Sequence, residues 1–131
     1  MNYRVEYFKR EEFLCPCCGA ALAAERLVLW LDLLRRAWGG PLSVNSGWRC
    51  ETRNALVGGS KNSRHKIGCA ADIQISRRAS GRTPSHLDFG ALAARLFRLP
   101  GWEFRLYASF VHVAVPRGES LRLWQGGEIS L

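Results

Sequence analysis

A histidine and an aspartate seven residues apart constrain this chain more than any other feature. His65 lies in a loop rich in glycine, serine and asparagine, and Asp72 lies in the apolar run 69–75, which is typical of a buried strand. A buried carboxylate is costly unless a cation compensates its charge. Because imidazole and carboxylate are ordinary zinc ligands, the pair predicts a metal site, although an arginine paired with Asp72 is the simpler alternative.

Two further motifs flank this pair. Residues 63–73 read Ser-x-His-x-x-Gly-x-Ala-x-Asp-Ile; Ser-Gly-Trp-Arg precedes them at 46–49, and Phe-Val-His-Val follows at 110–113. In this order the motifs resemble the zinc D-alanyl-D-alanine carboxypeptidase family of peptidoglycan hydrolases, over residues 13–115. That family belongs to the superfamily shared with lysostaphin and the Sonic hedgehog domain.

The resemblance implies a metal centre with defined ligands. By this resemblance, His65, Asp72 and His112 bind one catalytic Zn²⁺, and three protein ligands leave the fourth position for water. The resemblance also implies a role at the site for Arg49, since a guanidinium can clamp a carboxylate or an oxyanion. A salt bridge that supports the loop is the alternative for Arg49. Ser63 is expected either to hydrogen-bond the substrate carboxylate or to brace the loop.

The residue that accepts a proton from the zinc-bound water is not part of these motifs. Members of the resembling family usually carry an acidic residue or a second histidine close to the last ligand, whereas Ser109, Phe110 and Ala114 stand near His112. By elimination four candidates remain, namely Glu103, Glu119, Glu51 and His86. Glu103 is preferred because it lies on the strand expected beside His112. The departure leaves open a catalytically weak or inactive zinc-holding cell-wall binding module.

The apolar pattern predicts an α+β fold, with a small antiparallel sheet and flanking helices that carry a single zinc site. Helices are expected over residues 20–38 and 84–98, each with an apolar face at helical spacing. Strands are expected over residues 42–46, 69–75, 101–107, 110–115 and 121–124, the last of which closes the sheet. At 131 residues, without a linker or repeat, the chain is predicted to be a single domain over 1–131.

The resemblance implies an activity as well as a fold. We expect a zinc metallopeptidase that hydrolyses peptide bonds next to D-amino acids in the stem or cross-link peptides of bacterial peptidoglycan. The net charge of +8 favours an anionic partner, and cell-wall polymers are acidic. A basic nucleic-acid-binding domain with a structural zinc is a second alternative, although specific nucleic-acid binding is not expected.

The first residues bear on where the protein acts. Residues 1–12 are charged and lack the apolar core of a Sec-type signal peptide, and no apolar run is long enough to span a bilayer. We therefore expect a protein that is made in the cytoplasm without a signal peptide and acts at the bacterial cell wall. This combination favours a phage or prophage lysis protein. We also expect it to be a monomer.

Five cysteines form the remaining pattern. Cys15, Cys17 and Cys18 lie together in a stretch that contains the C-x-x-C spacing of a zinc knuckle. A four-cysteine site built on this spacing would need Cys50 and Cys69, but Cys69 is more simply a small buried filler on its strand. A disulfide from Cys50 to one of the first three cysteines is the rival in an oxidising compartment. Without a signal sequence, free thiols are expected in the freshly made protein.

Overall fold

The computed structural model describes residues 1–76, 85–117 and 122–131. In these ranges the chain forms three α-helices, six β-strands and two short 3-10 helices. The helices are α1 (Glu25–Trp38), α2 (Glu51–Leu56) and α3 (His86–Phe97), and the 3-10 helices cover Arg10–Phe13 and Arg64–Ile67. The strands are β1 (Asn2–Arg4), β2 (Leu42–Ser46), β3 (Ala70–Ile75), β4 (Glu103–Leu106), β5 (Val111–Ala114) and β6 (Glu128–Ser130).

A four-stranded antiparallel sheet in the order β2-β3-β5-β4 positions the polar residues of interest. Asp72 on β3 lies directly opposite His112 on β5, and His112 lies directly opposite Arg105 on β4. The register of β2 against β3 shifts between Val44 and Ser46, next to Asp72. Because directly opposed residues point to the same face of a sheet, these side chains share one face at its centre.

The other face of the sheet carries the hydrophobic core. Ile73 on β3 and Val113 on β5 alternate with the polar residues along their strands and are fully buried. Leu27, Leu31 and Leu34 of α1 and Phe89 and Phe97 of α3 belong to the same core cluster and are also buried. The helices therefore cover one face of the sheet and leave the face with Asp72 and His112 free for a site.

A buried carboxylate fastens the N-terminal segment to α1. Asp32 is fully buried and accepts hydrogen bonds from the Tyr3 hydroxyl at 2.6 Å and from the Tyr7 backbone N–H at 2.9 Å. Arg36, one turn later on α1, lies 3.3 Å from the same carboxylate. Burial and the hydrogen bond to Asp32 raise the pKa of Tyr3 to about 12. These contacts hold β1 and the residues after it against α1.

The α+β prediction is confirmed. The main difference between the predicted and observed helices lies at the start of α1. The expected helix over residues 20–38 begins only at Glu25. The preceding residues pair with other parts of the chain: Ala21 forms a backbone bridge to Leu14, and the Ala24 N–H donates to the Gly68 carbonyl at 2.8 Å. These backbone bonds replace the first helical turn that the apolar pattern predicted.

The strand expected over residues 121–124 is wrong as a sheet-closing strand. Leu121 lies outside the described residues, and among the described residues of this stretch Leu123 makes an isolated bridge to Ala24. Trp124 is buried and its N–H donates to the Ala23 carbonyl at 2.7 Å, so this apolar segment packs on the approach to α1. An unpredicted second sheet pairs β6 with β1.

None of the helices in the described ranges combines the length and the apolar character that a membrane crossing requires. The prediction of a single domain over residues 1–131 stays a prediction.

Candidate metal centre

The three residues predicted as ligands come together on the open face of the sheet. His65 lies in the second 3-10 helix (Arg64–Ile67), Asp72 on β3 and His112 on β5. One ligand atom from each residue lies within 4.8 Å of the others. The Asp72 Oδ1 atom lies 2.9 Å from His112 Nδ1 and 3.3 Å from His65 Nε2. Two imidazoles and a carboxylate at this spacing form a set of donors suited to zinc.

His65 is held in one orientation by its neighbours. The Ser63 hydroxyl oxygen accepts a hydrogen bond from the His65 backbone N–H at 3.2 Å, at the start of the 3-10 helix. The His65 Nδ1 atom lies 2.7 Å from the Gly47 carbonyl oxygen. Since a carbonyl only accepts, Nδ1 carries the proton and Nε2 is left with its lone pair.

The Nε2 atom of His65 fits a metal ligand. It is buried, and it has no hydrogen-bond partner among the described residues. A buried polar atom without a partner is costly, and a metal ion would satisfy it. A ligating histidine characteristically donates its other ring N–H to a carbonyl or carboxylate, as Nδ1 does here to Gly47.

Asp72 is the common partner of the charged groups around it. Its Oδ1 atom contacts both histidines, and its Oδ2 atom lies 3.4 Å from Arg49 Nη2. Burial alone would raise the pKa of Asp72. The hydrogen bond to His112 and the nearby His65 outweigh burial and hold this pKa below its usual range. The carboxylate is therefore ionised and able to bind a cation.

Glu103 lies against the opposite side of His112. Its Oε1 atom is 2.9 Å from His112 Nε2, and its Oε2 atom is 3.5 Å from Arg64 Nε. Burial would raise the pKa of Glu103, but the hydrogen bond to His112 and the charge of Arg64 lower it. Burial would lower the pKa of His112, but Asp72 and Glu103 raise it. The imidazole thus bridges two ionised carboxylates.

Arg49 reaches the site from the turn after β2. Its Nε donates to the Ser46 hydroxyl at 3.1 Å, its Nη1 to Asn54 Oδ1 at 3.4 Å, and its Nη2 contacts Asp72. Asn54 is buried and is itself fixed by donating to the Ser60 carbonyl at 2.8 Å. Arg49 therefore forms a salt bridge, and its partner is Asp72, one of the candidate metal ligands.

A pocket of about 430 Å³ opens over these residues. Three arginines are part of its wall, Arg49, Arg64 and Arg105, and the two carboxylates in its lining are Asp72 and Glu103. The remaining lining residues are polar, small or aromatic: Gly58, Ser60, Asn62, Ser63, His65, Tyr107, Phe110 and His112. Three guanidinium groups around a candidate cation site favour a ligand that carries carboxylate or carbonyl oxygens.

Comparisons with known proteins agree with this geometry. The sequence model of the family described as peptidase M15 matches residues 6–114. The chain belongs to the peptidase M15 family. A zinc D-Ala-D-Ala carboxypeptidase of Streptomyces albus G is 46% identical over 57 residues, which cover 42% of this chain and 22% of that relative. The family prediction is confirmed, and the name of the relative together with the His/Asp/His group supports Zn²⁺ as the cofactor.

The structure of this M15 chain separates the candidates for the proton acceptor. Glu103 lies in the pocket lining, whereas Glu51 and His86 do not. The Glu51 side chain is 83% exposed and pairs with Lys66 at 2.6 Å, and the His86 Nε2 atom lies 2.7 Å from the Tyr107 carbonyl. Glu119 lies outside the described residues.

Two charged residues of the pocket lining, Arg64 and Arg105, were not singled out from the sequence. Arg64 precedes His65 within the motif, and its Nη1 donates to the Gly101 carbonyl at 2.6 Å. Arg105 is the direct cross-strand neighbour of His112. The adjacency of Arg64 to a ligand was a usable signal, whereas the position of Arg105 follows from the register of β4, which the sequence does not specify.

A second group of side chains that could bind a metal ion includes Cys50, the residue that follows Arg49. The thiols of Cys15, Cys18 and Cys50 lie within 4.8 Å of one another. Burial would raise the pKa of the Cys15 thiol, but backbone N–H groups of Cys50, Cys17 and Cys18 lower it to about 6. Cys69 is fully buried in the hydrophobic core, as expected of a filler, and burial raises its pKa.

The structure makes a specific prediction about Gly59, where the loop passes over Arg49. A methyl group there would overlap the Asn54 side-chain amide, lying 2.8 Å from its Cγ atom and 3.1 Å from Arg49 Nη1. We expect Gly59→Ala to lower the free energy of unfolding by ~1–3 kcal/mol, the usual cost of overpacking. Denaturant unfolding measures this loss.

A double-mutant cycle tests whether Asn54 is the obstacle. With Asn54→Ala already present, the remaining close contact of the methyl group is with Arg49 Nη1, the far end of a flexible side chain. Gly59→Ala should therefore cost less than about 0.5 kcal/mol further, a clear departure from additivity. Equal costs in both backgrounds would show that the Asn54 amide does not constrain Gly59.

Proposed function

We propose that this M15 chain is a zinc-dependent peptidase that hydrolyses peptide bonds next to D-amino acids in the stem or cross-link peptides of bacterial peptidoglycan. The observation that carries the proposal is the convergence of His65, Asp72 and His112 at an open pocket, where His65 Nε2 is buried without a hydrogen bond among the described residues. Membership of the peptidase M15 family supports the reaction, and the name of the Streptomyces relative supports the substrate class. Action at the cell wall belongs to the same proposal.

In this proposal His65, Asp72 and His112 hold the zinc ion, His65 through Nε2. When bound, zinc polarises a carbonyl group and lowers the pKa of a bound water toward ~7. Asp72 brings the negative charge that favours a cation, and its partners keep it ionised. The Gly47 carbonyl fixes the tautomer of His65, so that the ligand lone pair faces the other two residues.

Glu103 is the residue we assign to proton transfer. It and Asp72 are the carboxylates in the pocket lining, and Asp72 is taken up as a ligand. Glu103 is ionised at neutral pH, which is the form that can accept a proton from water and then donate it to the leaving amine. Its contact with His112 also allows a different role, in which it only orients the imidazole.

Arg49 and Ser63 are the residues we assign to substrate binding. Arg49 is held by Ser46 and Asn54 with its Nη2 atom at Asp72, so a substrate carboxylate or oxyanion beside the metal lies within its reach. The Ser63 hydroxyl accepts from the His65 N–H and lines the pocket, which leaves its proton available to a ligand oxygen. The charges of Arg64 and Arg105 further favour an anionic peptide.

The assignment of Glu103 predicts a selective loss of turnover in Glu103→Gln. Glutamine keeps the size of the side chain and its contact with His112 but cannot accept a proton. We expect the variant to bind zinc like the wild type while kcat on purified peptidoglycan, measured as release of amino groups, falls by roughly 10²–10⁴-fold. The matched control is Glu51→Gln, which alters an exposed carboxylate outside the pocket and should leave kcat unchanged.

The same variant distinguishes the two roles of Glu103. If Glu103 only orients His112, Glu103→Gln should weaken zinc binding by about 10–100-fold while the zinc-saturated variant turns over like the wild type. That result would overturn the assignment of Glu103 as the proton acceptor and leave the peptidase proposal intact.

The role of Arg49 predicts that Arg49→Lys keeps the fold and the zinc but loses most of the turnover. Lysine preserves the charge but cannot donate to Ser46, Asn54 and a ligand at once. We expect a fall in kcat/KM of at least about 10-fold, with unchanged zinc content and melting temperature. Arg53→Lys on α2, outside the pocket lining, is the control. Wild-type kinetics in Arg49→Lys would exclude a clamp at this position.

A zinc-holding binding module is the second candidate function. The observation that favours it is the absence of a proton-transferring side chain at Ser109, Phe110 and Ala114, around the last ligand. A zinc-loaded wild-type protein that binds peptidoglycan but releases no amino groups between about pH 5 and 9 would establish this candidate in place of the first. A role in phage or prophage lysis stays a prediction.

A further inference from the structure

The sulfur atoms of Cys15, Cys18 and Cys50 are spaced like the ligands of a metal ion. The Sγ atoms of Cys15 and Cys50 lie 3.6 Å apart, and Cys18 completes a group of three within 4.8 Å. In a tetrahedral zinc site with Zn–S bonds of about 2.3 Å, neighbouring sulfurs lie about 3.8 Å apart. A disulfide requires about 2.0 Å. We propose that Cys15, Cys17, Cys18 and Cys50 bind a second, structural Zn²⁺ through four thiolates.

The first three cysteines lie in a tight turn with the shape of a metal-binding knuckle. The Gly19 N–H donates to the Cys15 carbonyl at 2.9 Å, and the Cys15 N–H donates to the Ala20 carbonyl at 2.8 Å. Gly19 has φ of +71°, a left-handed conformation that glycine adopts without steric cost. The turn thereby brings the sulfurs of Cys15 and Cys18 within 4.8 Å of each other.

Cys50 enters the group from the other side. It is the N-cap residue of α2, and its sulfur accepts a hydrogen bond from the Arg53 backbone N–H at 3.4 Å. Cys17 is exposed and adjoins Cys18 in the same turn, and in this proposal it supplies the fourth ligand. Cys69 belongs to the hydrophobic core instead. The proposed four-cysteine site therefore uses Cys17 in place of Cys69, which the sequence pattern predicted to be needed.

The proposed ion would join the N-terminal turn to the turn that carries Arg49. The same two segments already touch: the Trp48 N–H donates to the Phe13 carbonyl at 3.2 Å, and a Cβ atom at Gly47 would lie 2.7 Å from Phe13 Cα. With four protein ligands the ion has no open position, so its role is structural. This inference does not depend on the peptidase activity.

The test is to count metal ions in the full chain, purified with reductant and zinc and then dialysed. We expect about two zinc ions per chain in the wild type, and about one in both Cys50→Ala and His65→Ala. Cys69→Ala is the matched control, because it removes a buried thiol outside the group and should keep about two. The wild type reconstituted with Co²⁺ should show thiolate-to-cobalt charge-transfer absorption, which His65→Ala retains and Cys50→Ala loses.

Three outcomes would overturn the second site. One is a wild-type Co²⁺ spectrum without thiolate bands, which needs no variant to fold. Another is an unchanged metal content in Cys50→Ala. The third is a disulfide, seen as loss of free thiols in the non-reduced protein. If Cys50→Ala does not fold, Cys17→Ser and Cys18→Ser replace exposed cysteines and should each weaken zinc binding and the thiolate bands. A failure of His65→Ala to lose zinc would bear on the first site alone.

Discussion

The buried carboxylate of Asp72 is the constraint on which the site depends. Its two oxygens contact His65, His112 and Arg49, which come from the 3-10 helix, from β5 and from the turn after β2. An uncompensated charge in this buried position would cost several kcal/mol, and removing one of its partners would destabilise the site for the same reason. The surrounding chain therefore brings one guanidinium and two imidazoles to a single carboxylate, and a divalent cation would compensate the same charge.

The sheet register explains how Glu103 reaches this centre in a chain that lacks an acidic neighbour of His112. Glu103 pairs directly with Ala114, two residues beyond His112 on β5. Residues in this diagonal relation lie on the same face, within reach of a long side chain. A carboxylate from the adjacent strand can thus occupy the space beside the last ligand.

The sequence predicted the site better than it predicted the periphery of the fold. The spacing of His65 and Asp72 and the strands that carry Asp72 and His112 follow from strong local patterns, and the structure brings the three residues together. The pairing of β1 with β6 joins the two ends of the chain through short strands with mostly exposed side chains, so no apolar alternation announces it. The grouping of Cys50 with the first cysteines likewise depends on tertiary packing, which spacing alone does not encode.

The most direct measurement of the central claim is anomalous X-ray diffraction at the zinc edge from crystals of the wild-type protein. The account predicts an anomalous peak about 2.0–2.2 Å from His65 Nε2, from an oxygen of Asp72 and from a ring nitrogen of His112. Zinc density confined to the cysteines, with Asp72 still paired to Arg49 and the histidines, would contradict it.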